Sequence, residues 1–217
     1  MTLRLHNFFR NSAGHRVRIA LALKGLDYEY VSVNIGPASE QKSDAYLKLN
    51  PQGLVPTLEH DGRILTQSLA IIEYLEEIFP EPSIMPADTL TRAQARAFAA
   101  AIAAEMHALN NSGVHRYLGG EMGLDDAKRQ QWYAHWAKAG FTALEQNLAA
   151  RPETPFCFGD KPTIADIFLV PQHLNYVRFK IDLEPYSRIN RIVAHCGSLP
   201  AFKASAPDAQ PDYVEGF

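Results

Sequence analysis

The sequence predicts an α/β unit followed by an all-helical one, and three observations carry that prediction. Strand and helix patterns alternate over the first third of the chain in the order βαβ-α-ββα. Pro80, Pro82 and Pro86 then interrupt the pattern, and a continuous helix does not tolerate proline at that density. Beyond them the sequence is almost entirely helix-forming. The expected divisions are residues 1–82 for the α/β unit, 83–88 for a proline-rich linker and 89–217 for the helical unit.

Leu3 to Phe8 alternates apolar and polar side chains, as a half-buried strand does. Val17 to Leu23 reads as a helix with Val17, Ile19, Ala20 and Leu23 as its apolar positions, and Gly25 suits its C-terminal cap. Tyr28 to Val33 is a second strand, and a short helix over Ser43 to Leu49 precedes Pro51. Pro56 to His60 and Arg63 to Leu65 form two strands around Asp61-Gly62, a strong hairpin signal. Ser68 opens a helix with Leu69, Ile72, Leu75 and Phe79 on one face, Ile71 and Ile78 beside it, and Glu73, Glu76 and Glu77 facing away. In the second half, helices are expected over Thr91 to Leu118, Asp125 to Ala149 and Ile164 to Phe179. Thr163 and Asp166 have the spacing of a capping box, each meeting a free backbone N–H. Shorter helices follow Pro185 and Ser198, and the tail beyond Pro207 is expected to be irregular.

Composition narrows the function. The 217 residues carry a net charge of −3, so no basic field invites nucleic acid. No apolar run approaches the roughly 20 residues of a membrane span, and the first residues lack the apolar core of a signal peptide. Cys157 and Cys196 are too few for a disulfide scaffold, so a reducing cytoplasm is the expected compartment. His6, His60, His135 and His195 lack metal-ligand spacing, and no metal site is expected. Trp132 and Trp136, at i and i+4, read as packing core.

Three segments carry chemistry. Asn50-Pro-Gln-Gly-Leu-Val-Pro56 puts a proline at the start of an apolar strand. Proline lacks the N–H a central strand needs, so Pro56 is expected to begin an edge strand or a tight turn. A cis Val55–Pro56 bond would turn out the N–H and C=O of Val55 as donor and acceptor for an extended ligand. Gln67-Ser68 opens a helix, where free N–H groups and the dipole favour an anion. The loop Arg10 to Gly14 lies before the first helix, and there Ser12 is either an N-cap or a donor to a bound group.

Taken together, these segments resemble the cytosolic glutathione transferases over essentially the whole chain, through Asn50 to Pro56, Gln67-Ser68, the proline linker and Gly159-Asp-Lys-Pro-Thr-Ile-Ala-Asp166. Phe8 to Leu23, Leu26 to Tyr30 and Arg178 to Tyr186 are most similar to the zeta class, the maleylacetoacetate and maleylpyruvate isomerases. The resemblance implies a thioredoxin-like N-terminal domain, an all-α C-terminal domain, a homodimer and glutathione as cofactor. It assigns cofactor binding to Gln52, Val55, Pro56, Gln67, Ser68 and His107. It assigns the reactive loop to Ser12, Asn11 and Arg10, and substrate carboxylates to Arg10, Arg116 and Arg178.

A thiolate is the reactive form of glutathione, and a free thiol is mostly protonated at pH 7. Ser12 is expected to stabilise it with a hydrogen bond, and Asn11 to donate through its amide. The substrate implied is a maleyl-type keto acid, isomerised about its cis double bond, with arginine forks holding its carboxylates. Two departures from the class pattern stand out. Ala13 replaces the cysteine of a Ser-Ser-Cys-like core, and Ser112-Gly113 stand where an arginine often follows the asparagine pair, here Asn110-Asn111. These departures favour an alternative, glutathione conjugation or dehalogenation of small electrophiles. A third reading is a non-catalytic glutathione-binding protein.

Overall fold

The computed structural model describes residues 2–36 and 38–216. They form two compact units, Met1–Ile84 with Gly197–Phe217, and Met85–Cys196. The expected linker is shared between them, Ser83 and Ile84 going to the first unit and Met85 onward to the second. The expected boundaries put 197–217 in the helical half; the structure packs that segment with the α/β unit. The reason is a set of long-range hydrogen bonds that its sequence does not announce, described below.

In the first unit, strands β1 (Leu3–Asn7), β2 (Glu29–Ser32), β3 (Thr57–His60) and β4 (Arg63–Thr66) form a sheet in the order β2-β1-β3-β4. β1 and β2 are parallel, joined through helix α1 (Ser12–Leu23), while β3 runs antiparallel to both β1 and β4. Asp61 and Gly62 turn the hairpin with φ of 47° and 78°, the left-handed pair that a two-residue hairpin requires. β3 is therefore a central strand, which corrects the expectation of an edge strand at Pro56. Proline is tolerated because the β1–β3 pairs run from Leu3–His60 to His6–Thr57, so Pro56 sits one residue outside the ladder and removes no bond from it.

Helix α2 (Asp44–Leu49) is capped by Ser43, whose side chain accepts from the Tyr46 N–H. Helix α3 (Ser68–Ile78) buries Ser68, Ile71, Ile72 and Leu75. The buried stripe thus turns toward Ile71, and Ile78 is exposed. Leu5, Val17, Ile19, Leu21, Leu58, Ile71, Ile72 and Leu75 are fully enclosed between helices and sheet, each contributing roughly 1.5–3 kcal/mol by burial.

In the second unit, α4 (Thr89–Ala100) continues into a π-helical turn over Ala101–Met106 and then α5 (His107–Asn110). The single helix expected over Thr91 to Leu118 breaks at Asn111, which is extended and caps α6 (Ser112–Gly120) by accepting from the Val114 N–H. Gly113 belongs to that cap, since a Cβ there would lie 3.0 Å from Asn111 Oδ1. Helix α7 (Asp126–Ala149) is capped by Asp125. Helix α8 (Ile164–Arg178) carries the expected capping box of Thr163 and Asp166. Asp166 also accepts the Cys157 N–H at 2.8 Å, which makes it a structural carboxylate. Trp132 and Trp136 meet edge to face at 5.9 Å, and Trp132 donates to Leu109 O. Helix α9 (Ser187–Ser198) follows; α10 (Pro200–Ser205) belongs to the first unit, where it packs against α1. Among the described residues, no helix is long and apolar enough to cross a membrane.

Candidate active site

The sheet register gathers the first-unit candidates at one end. His6 pairs with Thr57, and Thr57 pairs with Thr66. β1 leaves that end toward Arg10 to Ser12, β3 arrives there from Val55 and Pro56, and β4 leaves there into Gln67 and Ser68.

Each of these three segments is held by its own side chains. Asn50, buried, accepts the Gln52 N–H through Oδ1 at 3.1 Å and donates through Nδ2 to Leu54 O at 2.8 Å. Tyr46 Oη donates to the same carbonyl at 2.8 Å and lies 2.8 Å from Thr57 Oγ1. Gly53 is required twice over. Its φ is 60°, and a Cβ would come within 2.8 Å of Gln41 O. The loop so fixed delivers Val55, buried, into a cis peptide bond with Pro56. The β1–β3 register does not commit Val55's own N–H and C=O.

The start of α3 is built differently. Gln67 has φ 68° and ψ 114°, and its side chain makes no cap hydrogen bond. A non-glycine residue there stores roughly 1–3 kcal/mol, a cost that surrounding structure must offset. Gln67 Nε2 instead donates to Gln52 Oε1 at 2.9 Å, so two of the expected cofactor residues touch. Ser68 is 6% exposed, and Arg16 Nη1 donates to its Oγ at 3.4 Å. Arg16 itself is 1% exposed, and burial pushes the pKa of its guanidinium down to about 9, which still leaves it cationic at pH 7.

At the start of α1 the cap is Asn11, whose Oδ1 accepts the Gly14 N–H at 2.6 Å. The open choice for Ser12 is thereby settled against capping. Ser12 is the first residue of the helix proper and is 7% exposed. Asn11 Oδ1 is taken as acceptor by this cap, and its Nδ2 is the group that can donate. Gly14 is demanded by Asn7, whose Oδ1 would lie 1.7 Å from a Cβ there. Arg10 precedes this cap, half-buried, and burial lowers its guanidinium from the usual arginine range.

In the second unit, His107 is the residue at which the π-helical turn gives way to α5, a local irregularity common at functional positions. Arg116 is exposed on α6, and Arg178 is exposed at the end of α8 with its guanidinium 5.0 Å from the Phe179 ring. Arg178 lies near α6 through His115, which packs on Phe179 at 5.3 Å and on Tyr133 at 5.2 Å; Arg116 follows His115 on that helix. Burial lowers the pKa of His115 first, and the charges of Arg129 and Arg178 lower it further, so it is neutral at pH 7 amid cations. Among the described residues, no cluster fit to hold a metal ion is present.

Arg16 and His115 are absent from the candidates read from sequence. Arg16 was detectable in principle: residues 12–23 hold two arginines and no acidic residue, so the partners of those cations had to come from elsewhere. His115 gave no signal, because its neighbours Phe179 and Arg178 are more than 60 residues further along the chain.

The donor set at α3 suits the amino-acid end of an anionic peptide. A helix start without a side-chain cap, a buried hydroxyl and a buried guanidinium favour a carboxylate, and Val55 lies just before Pro56, outside the β1–β3 ladder. Residues 12–78 match the family described as Glutathione S-transferase, N-terminal domain, and residues 130–189 match Glutathione S-transferase, C-terminal domain. A maleylpyruvate isomerase of a Ralstonia species is 46% identical over 211 residues, covering 97% of this chain and 99% of that protein. A holo structure of maleyl pyruvate isomerase, described as a bacterial glutathione S-transferase in zeta class, superposes with a TM-score of 0.94 at 46% identity, covering 97% and 100% of the two chains. A maleylacetoacetate isomerase from Methylobacterium extorquens AM1, with bound malonate and GSH, superposes at 0.92 with 34% identity, covering 97% and 99%.

Proposed function

The chain belongs to the glutathione S-transferase family, in its zeta class, and from that premise we propose that it is a glutathione-dependent cis–trans isomerase of maleylpyruvate or maleylacetoacetate. One observation carries the reading. The helix start at Ser68, with Arg16 beneath it, and the Arg10–Ser12 loop open at the same end of the sheet. The first suits a peptide carboxylate; the second carries a hydroxyl and a cation, the groups this reaction uses.

Glutathione, when bound, supplies a thiolate nucleophile. In this reading Ser68, backed by Arg16, holds the γ-glutamyl end together with Gln67. Val55 pairs with the peptide backbone ahead of Pro56, and Gln52 and His107 complete the cofactor contacts. Ser12 donates its O–H to the sulfur, which favours the thiolate over the thiol. With Ala13 in the place of the class cysteine, Asn11 Nδ2 is the second donor of this loop. Arg10, Arg116 and Arg178 hold the two carboxylates of the substrate, and a fixed cation there also stabilises the charge that develops on its carbonyl oxygen. The same reading makes the protein a cytoplasmic homodimer, a state that light scattering of the purified protein checks.

The test is turnover of each maleyl acid with and without glutathione, followed by absorbance. Isomerisation that requires glutathione is the expected result. Its absence with both acids overturns the isomerase reading. Turnover of dichloroacetate or chlorinated aromatics in its place selects conjugation or dehalogenation.

A further inference from the structure

We infer that the carboxyl-terminal segment is a positioning element for the reactive loop, with Asp212 and Arg18 holding the two backbone ends of Phe9, the residue that leads into Arg10, Asn11 and Ser12. The inference rests on the glutathione reading above and adds residues to it that lie outside the cofactor site.

Backbone N–H and C=O groups withdrawn from water need partners, and those ahead of the loop have them. Asn7 O accepts from Val33 N–H at 2.7 Å, and Phe8 O accepts from Asn11 N–H at 2.9 Å. Those bonds belong to the sheet edge and the turn. The groups of Phe9 are held otherwise. Its N–H donates to Asp212 Oδ2 at 3.1 Å, across 203 residues of sequence. Its C=O accepts from Arg18 Nη2 at 3.0 Å. Arg18 Nε donates in turn to Ser205 O at 3.0 Å, so one guanidinium ties the loop to α10.

Asp212 is fixed by more than this bond. Tyr30 Oη donates to its Oδ1 at 2.7 Å and Ser32 Oγ to its Oδ2 at 3.0 Å, both from β2. Burial first, and Asp212 second, raise the Tyr30 phenol well above its usual range, so it remains a donor. Tyr213 sets its ring edge-on to Phe9 at 5.5 Å. Three donors on one carboxylate are charge-assisted bonds, stronger than neutral ones. A tail that served only to cover the core would end on any surface. This one closes on the peptide immediately before the reactive loop, where a shift of about 1 Å can cost on the order of a hundredfold in rate.

The experiment compares Asp212→Ala and Asp212→Asn with Asp208→Ala, which removes the same charge from an exposed position of the same segment. The bound thiol's pKa is read by ultraviolet titration of thiolate, alongside kcat, KM and thermal melting. Asp212→Ala is expected to raise the thiol pKa and lower kcat by about tenfold, with the KM for glutathione within about twofold. Asp212→Asn should fall between, and Asp208→Ala should match the parent. An Asp212→Ala protein that melts earlier yet keeps the parental kcat and thiol pKa overturns the proposal. Should that variant not fold, Asp212→Asn and Tyr30→Phe carry the same readouts, and parental values in both overturn it equally. Absence of any bound thiolate in the parent removes the glutathione reading and this proposal together; a parental signal unmoved by Asp212 removes the proposal alone.

Discussion

Two helix starts face the same end of the sheet, and they are finished in opposite ways. α1 is closed by its own residue, Asn11, whose side chain accepts from Gly14. α3 begins at Gln67, which has a strained backbone and no side-chain cap. A closed start commits its capping oxygen locally and leaves the chemistry to the hydroxyl that follows, Ser12. A start without a side-chain cap keeps its orientation toward an anion and places a buried cation, Arg16, behind its first hydroxyl. Under the proposed function the contrast separates two jobs: α3 is assigned the anchoring of the peptide and α1 the tuning of its sulfur.

The contrast is most sharply tested at Ser12. Ser12→Ala removes the charge-assisted donor assigned to the thiolate sulfur, so less of the reactive thiolate is present and kcat at pH 7 should fall by about a hundredfold, with the glutathione Kd within about threefold by calorimetry. A Kd that rises as far as kcat falls would put anchoring at α1 as well. Arg16→Met removes the cation beneath Ser68. A charged hydrogen bond contributes about 1.5–3 kcal/mol, so glutathione should bind about 10- to 100-fold more weakly, and the thiol pKa of what does bind should stay put. Ser68→Ala loses a neutral donor and should weaken binding about fivefold to tenfold, again with kcat at saturation nearly unchanged. The smallest effects differ in sign. Asn11→Ala should cost about 1 kcal/mol of stability in urea unfolding. Gln67→Gly should leave stability level or raise it by up to about 1 kcal/mol, because glycine adopts that backbone without strain, while it weakens glutathione binding.

What could be read in the sequence was mostly what is encoded locally. The Asp61-Gly62 hairpin and the Thr163–Asp166 capping box both involve residues within a few positions of one another. So do Gln67 and Ser68 at a helix start, and each is found where its local pattern put it. The errors come from competing local signals or from contacts of long span. Pro56 suggested an edge strand because the proline itself was counted in the ladder; the register ends one residue later. The break at Asn111 was hidden by a run of good helix formers, and one capping asparagine outweighed them. Ser12 and Asn11 are adjacent polar residues, either able to cap, and only the folded helix start, where Asn11 Oδ1 accepts the Gly14 N–H, shows which of them does. Asp212 lay furthest out of reach, because its partner Phe9 is 203 residues away and no local pattern records a contact of that span. The two arginines of α1 hinted at distant partners, but nothing local named Ser68, 52 residues from Arg16.

The measurement that bears most directly on this division of labour is the thiol pKa of bound glutathione, titrated in the ultraviolet for the parent, Ser12→Ala and Ser68→Ala at saturating glutathione. Separate anchoring and tuning predict a raised pKa in Ser12→Ala and the parental value in Ser68→Ala, although Ser68→Ala needs more glutathione to saturate. An unchanged pKa in Ser12→Ala, or equal shifts in both variants, would contradict that separation.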